Sequence, residues 1–191
     1  MKTYTLITLF VLSMGMLHAQ EKQEYEERIK KEEMPTQAIS LVSPYLEEVR
    51  RLRYYHEVDG TSESFEIKFK KEGTHFSVEF SPEGVLEDVE VRWEFDSLSE
   101  AVQKLMETYL DKNTDRWRIE KIQRQYVAGT DPSKSLADAV ALSEEINYNF
   151  ECIITTKTNG KVTRYEMLFD TNGTWLNSRK ILRRSYDFIL F

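Results

Sequence analysis

Apolar residues take every second position through Phe65, Ile67 and Phe69, and again through Phe76, Val78 and Phe80. Glu66, Lys68, Ser77 and Glu79 fill the places between them. A period of two predicts antiparallel strands with one buried and one solvated face. Beyond Pro82-Glu83-Gly84 the pattern resumes, with Val89, Val91, Trp93 and Phe95 on one parity and Asp88, Glu90, Arg92 and Glu94 on the other. Upstream, VRRLRYYHEV runs into Asp59-Gly60, a strong turn signal, and supplies a fourth strand. Before it, Ala38, Ile39, Val42 and Leu46 follow helical spacing, with Pro35 suited to a first turn and Pro44 to an end or kink.

The same order then restarts. From Ser97, SLSEAVQKLMETYL places Ala101, Val102, Leu105 and Tyr109 on one stripe, and Ser97 with Glu100 reads as a capping box. RWRIEKIQRQYV, NFECIITTKT, KVTRYEMLF and TWLNSRKIL predict four strands. Each unit contains Phe-x-x-x-Gly at its hairpin, as Phe80 with Gly84 and Phe169 with Gly173. Residues 128–146 have no counterpart and read as an insertion with one short helix. Self-similarity of this kind predicts an α+β fold of tandem helix-plus-four-strand repeats, at 34–96 and 97–191. They would form one eight-stranded antiparallel sheet with helices on one face and the other face open.

The first residues change the picture of where such a domain works. MKTYTLITLFVLSMGMLHAQ has a basic Lys2, an apolar run from Leu6 to Leu17 and a small-residue site at Ala19. Residues 1–19 thus read as a cleaved signal peptide, which predicts a periplasmic or secreted protein with no stable membrane insertion after cleavage. Residues 20–33 are nearly all charged or polar and read as a solvated leader. The formal net charge of −7 argues against nucleic acid as a partner, because phosphate neutralisation needs surplus Lys and Arg. A single cysteine, Cys152, rules out an internal disulfide, so stability must come from burial.

Candidate chemistry is sparse. Asp170-Thr171-Asn172-Gly173 could suggest a calcium loop, but the following residues lack the ligands and terminal Glu, and Asn-Gly is a favoured hairpin turn. His56 and His75 have no Cys or carboxylate partner at metal-ligand spacing. Cys152 falls on the buried parity, as an inert core thiol would. No Gly-rich phosphate loop and no Ser/His/Asp constellation is recognisable, so the sequence predicts a non-enzyme with no cofactor.

The phrase LFDTNGTWLN resembles the PepSY-like domains of exported bacterial proteins, whose repeats often end in Phe-Asp-x-x-Gly-x-Trp. The motif falls here on Phe169, Asp170, Gly173 and Trp175, while the first unit has Ser81 for Asp and Leu86 for Trp. The helix openings MPTQAI and LSEAV also look like that family's, and the resemblance spans roughly 34–182. It implies a fold like that of the β-lactamase-inhibitor proteins, bacterial envelope location, and a non-enzymatic, inhibitor-like role.

One difference between the units points to a surface. Aligning Phe150 with Phe65, and Phe169 with Phe80, replaces the solvated pair Lys68 and Glu79 by Ile153 and Leu168. Two aliphatics on an open sheet face mark a contact site unless the 128–146 insertion covers them. The expected partner-binding set is Ile153 and Leu168, with Arg116, Arg118, Lys121 and Arg124 at the rim. The function expected is an exported binding or inhibitor-like module engaging an envelope or secreted protein partner. The alternative is an α+β pocket protein of the cystatin or nuclear-transport-factor-like sort, binding a small molecule between helices and sheet.

Overall fold

The structure, a computed structural model, describes residues 21–22, 24–144 and 148–182. Ten strands and three α-helices follow one another along it. The strands are β1 (Glu21–Lys22), β2 (Glu24–Ile29), β3 (Arg50–Asp59), β4 (Ser62–Lys71), β5 (Thr74–Phe80), β6 (Leu86–Trp93), β7 (Arg116–Val127), β8 (Asn149–Thr158), β9 (Lys161–Phe169) and β10 (Trp175–Ile181). The helices are α1 (Thr36–Val42), α2 (Glu100–Asn113) and α3 (Pro132–Val140). The candidate signal peptide, residues 1–19, lies outside the described residues.

The expected eight-stranded sheet of tandem repeats is corrected by this architecture. Nine strands, β2 to β10, form one uninterrupted antiparallel run, and β1 adds two residues parallel to β10. β6 pairs directly with β7, Asp88 opposite Val127 through Trp93 opposite Ile122, so the sheet has no seam between two units. The ninth strand comes from the charged segment expected to be a solvated leader. Glu24 to Ile29 pair residue by residue with Asp59 to Tyr54. Charge does not oppose an edge strand, where side chains remain in water and only the backbone must match. Lys68 Nζ meets Glu26 Oε1 at 2.9 Å and fixes the register further.

The sheet does not lie flat. β1 and β2 are separated in the chain by Gln23 alone, yet they pair with opposite ends of the strand order. One residue spans at most about 3.5 Å, so the two edges must meet. Arg179 on β10 bonds Asp59 on β3, Nη1 to Oδ2, at 3.0 Å. A flat sheet would hold those strands roughly 33 Å apart at the usual interstrand spacing. The strands therefore curl nearly into a cylinder, and the face expected to be open is turned inward.

All three helices pack on the outer face. Ala38 and Val42 of α1, with Leu136 and Ala139 of α3, share a core with Ile67, Val78, Val89 and Tyr126. Met106 and Leu110 of α2 pack with Ile122, Cys152, Ile154 and Phe169. The insertion is thus core-forming, not a flap over the other face. At the start of α2 the cap is Ser99, whose Oγ accepts from Val102 N at 3.4 Å, and not the expected Ser97, which closes a 3₁₀ turn.

The two hairpin tips explain their glycines. Asp170 Oδ1 accepts from the N–H groups of Asn172 and Thr174 at 2.9 and 2.8 Å. Ser81 Oγ holds the other turn through Glu83 N and Val85 N. Both motif positions therefore act as turn acceptors. Gly173, at φ +86°, lies so close to α2 that a Cβ would stand 2.7 Å from the Val102 carbonyl oxygen. A Cβ on Gly84, at φ +80°, would meet Pro35 Cβ at 2.9 Å.

Candidate functional site

Curling the sheet gathers its solvated-parity residues into a cavity of about 390 Å³ to which every strand from β3 to β10 contributes. Among the described residues its lining is one-sided in charge, with ten carboxylates against three cations and a single aliphatic, Ile153. Strand register concentrates the acids. Glu66, Glu79 and Asp88 stand directly opposite one another on β4, β5 and β6. Like charges in that relation cost stability, so the row is not there to hold the sheet together.

Part of the charge is answered locally. Lys68 Nζ reaches Glu66 Oε2 at 2.7 Å, and Ser77 Oγ donates to Glu66 Oε1. Burial still outweighs these contacts and raises the Glu66 carboxyl above its ordinary range. Burial also opposes the charge of Lys68, but Glu66 and Glu26 overcome it and hold the ammonium protonated. Arg179 bridges Glu166, Nη2 to Oε1 at 2.7 Å, and Asp59 across the closing edges.

Asp88 is answered least. Only 8% of it is exposed. Gln125 Nε2 donates to its Oδ2 at 2.9 Å, but Oδ1 is buried without a hydrogen-bond partner among the described residues. Burial, then Glu90 and Glu79, push its carboxyl well above the ordinary range.

The cavity adjoins an oppositely charged hollow, sharing Lys68, Glu90 and Lys121 with it. There Arg51, Arg53, Lys68, Arg92 and Lys121 surround His75, with Glu90 and Glu94 as the only acids among the described residues. Burial, with Lys70, Arg51 and Arg92, lowers the His75 pKa and favours its neutral form. The inward face is thus acidic at one end and basic at the other, with Lys68, Glu90 and Lys121 at the join.

The sequence-expected residues distribute unevenly over this geometry. Ile153 lies in the acidic cavity, opposite Lys121 on one side and Glu166 on the other. Leu168 borders an adjoining hollow with Glu151, Asn177 and Arg179. The two aliphatics share a face but are diagonal, since Leu168 stands opposite Glu151. Neither is covered by α3, which packs on the other side of the sheet. Arg116 and Arg118 are exposed near the start of β7, and Arg118 pairs with Glu120 at 3.4 Å. A register shift between Ile119 and Lys121 puts Lys121 inward.

Arg124 does not join the rim. It is buried on the helical side, its guanidinium 3.7 Å from the Trp93 ring centroid and 4.5 Å from that of Tyr148, with Nη2 bonded to Glu144. Cys152 is likewise sealed in the core, where burial first and Glu151 second keep its thiol protonated. Asp88, Glu66 and Glu79 were not singled out by sequence. Their alternation looked like an ordinary solvated face, and only the register of three strands reveals one acidic row.

Comparison with known proteins shows the fold alone. No family model matches the chain, and no curated protein matches it in sequence. Among solved structures, a DUF2874 family protein from Bacteroides ovatus aligns at TM-score 0.51 and 12% identity, covering 76% of this chain and 86% of that one. A DUF2874 family protein from Bacteroides uniformis aligns at 0.51 and 11%, covering 77% and 89%. A Bacteroides eggerthii protein, provisionally described as periplasmic, gives 0.51 and 11%, covering 76% and 88%. The PepSY-like resemblance of LFDTNGTWLN thus stays a likeness of motif.

Proposed function

We propose that this chain is an exported, non-enzymatic binding module whose inward sheet face engages a protein partner in the bacterial envelope. The observation that carries the reading is the separation of the two faces. Every helix and nearly all apolar burial lie outside, while a polar, charged hollow with like charges in register is kept inside. Retaining such an arrangement against its stability cost is what recognition surfaces do. Fold neighbours of the DUF2874 family and one provisionally described as periplasmic support an envelope setting. So do the signal-like first nineteen residues and the PepSY-like motif. Among the described residues no helix is long and apolar enough to cross a membrane.

The small-molecule alternative placed its ligand between helices and sheet. That space is filled by side chains such as Phe69, Phe80, Met106 and Leu136, so it finds no support. The test is capture from envelope extract by the chain lacking residues 1–19, compared with the double variant Ile153→Lys/Leu168→Glu. Both substitutions lie on the inward side, so the variant is expected to fold and to lose the captured partner. Undiminished capture by a folded double variant would remove this face from consideration.

A further inference from the structure

The basic hollow beside the acidic cavity holds cations that the fold does not answer. Arg51 and Arg53 of β3, Arg92 of β6 and Lys121 of β7 line a space of about 570 Å³. Among the described residues none of the four makes an ion pair, and Glu90 and Glu94 in the same lining bond none of them. Elsewhere the chain pairs its cations readily, as Lys68 with Glu66 and Glu26, Arg164 with Glu120, and Arg179 with Glu166 and Asp59. Acids are in surplus, 33 Asp and Glu against 26 Lys and Arg, so the missing partners do not reflect a shortage.

Strand register makes the gathering costly. Arg53 stands directly opposite Lys68, and Lys70 stands between Arg50 and His75. Like charges so placed destabilise a sheet. β3 also breaks register between Arg50 and Arg53, where Arg51 takes a φ of +57° that residues other than glycine seldom adopt. Irregularities of this kind re-aim side chains. Burial comes first in lowering the His75 pKa, but Lys70, Arg51 and Arg92 add to it, so their fields meet at one place. Unpaired like charges kept together at a cost, with acids at hand in the same chain, are an attractor for an anion from outside.

The spread of the cations decides the form of that anion. β3 and β6 are three interstrand steps apart, at most about 14 Å at the usual spacing. A single phosphate or carboxylate cannot reach across. An extended peptide places alternate side chains about 7 Å apart, so three acidic residues at alternate positions match the span from Arg53 to Arg92. Guanidinium groups suit carboxylates, which they can bind through two parallel hydrogen bonds. We propose that the basic hollow docks an acidic segment of the protein partner, extended across the strands from β3 toward β7, its carboxylates meeting Arg51, Arg53, Arg92 and Lys121. This rests on the protein-binding reading and adds the partner's chemistry to it.

The probe is a blocked peptide of alternating glycine and glutamate with three glutamates, titrated calorimetrically into the folded chain at low ionic strength. Inorganic phosphate and dextran sulfate are the comparisons. The peptide is expected to bind, more weakly as salt is raised, and both comparisons to bind at least tenfold more weakly. Arg53→Gln/Arg92→Gln should weaken the peptide at least tenfold, and Lys121→Gln should weaken it less. The replaced side chains make no ion pair among the described residues, so both variants should keep the parent denaturation midpoint. Arg116→Gln/Arg118→Gln, exposed on β7 outside the hollow, should leave the affinity unchanged.

No peptide binding at millimolar concentration would overturn the proposal, as would undiminished binding by the folded Arg53/Arg92 variant. An equal loss in the Arg116/Arg118 variant would overturn it too, by showing attraction to charge in general. Phosphate binding as tightly as the peptide would overturn the extended segment in favour of a small oxyanion. Dextran sulfate binding as tightly would overturn the polypeptide in favour of an anionic polysaccharide. Capture of an envelope partner unaffected by Arg53→Gln/Arg92→Gln or by excess peptide would overturn this inference and leave the protein-binding reading intact. Peptide binding with no partner captured would count against that reading and not against the basic hollow.

Discussion

Asp88 carries the main physical conflict of the molecule at the scale of single residues. Its carboxyl pKa is raised by burial and by neighbouring Glu90 and Glu79. A raised folded-state pKa means the folded chain binds more protons than the unfolded one, so stability falls as pH rises through that range. Asp88→Asn keeps the shape, lets the amide oxygen accept from Gln125, and offers an N–H to the surrounding acids. It is expected to raise stability at neutral pH by on the order of 1–3 kcal/mol, the cost of an unsatisfied buried group, and so to raise the melting temperature. It should also flatten the rise in stability between neutral and mildly acidic pH. Thermal unfolding of both proteins across pH 5 to 8 checks this, and a variant less stable at pH 7 would contradict it.

The glycine of the second hairpin was legible in sequence, and the structure supplies the mechanism. Gly173 combines a positive φ with near-contact to the Val102 carbonyl. Gly173→Val should cost about 1–3 kcal/mol from backbone strain alone, before the clash is counted. A lowered denaturation midpoint in urea is the expected result, and an unchanged one would place the turn elsewhere. Arg124 reads from sequence as part of one surface with Arg116, Arg118 and Lys121, whereas the structure buries it against Trp93 and Tyr148. The irregularity after Ile119 breaks their parity, and nothing in residue type marks it.

Among elements, β2 and α3 depart most from the sequence reading. Glu24–Ile29 lacks the alternation that makes a strand recognisable, because an edge strand on this sheet needs only backbone pairing. Removing residues 20–29 should bare the β3 edge, and exposed edges pair with other chains. The truncated protein is expected to melt lower and to self-associate in size-exclusion chromatography with light scattering, whereas a stable monomer would deny β2 its role. The helix in the insertion was foreseen, but its side of the sheet was not. Leu136 is wholly buried among α1 and the central strands, so Leu136→Ala should cost about 2–5 kcal/mol. Such a loss, read by chemical denaturation, separates a core helix from a surface ornament.

The strand alternation of β4, β5 and β6 and the helical stripes were readable because each depends on local period. Curvature was not, since it comes from the meeting of edges far apart in sequence, as Arg179 and Asp59 show. That one property turns a flat solvated face into an acidic hollow beside a basic one, and gives Ile153 and Leu168 charged neighbours instead of an aliphatic patch.

The account rests on the inward face, and not the helical one, being the surface that binds. The most direct measurement is an amide hydrogen-exchange map of the folded chain, alone and in complex with the partner captured from envelope extract. Added protection should cluster on the strands that line the inward face, β4 to β9, leaving α1, α2 and α3 unchanged. Protection centred on the helices, or no change on the inward strands, would contradict it.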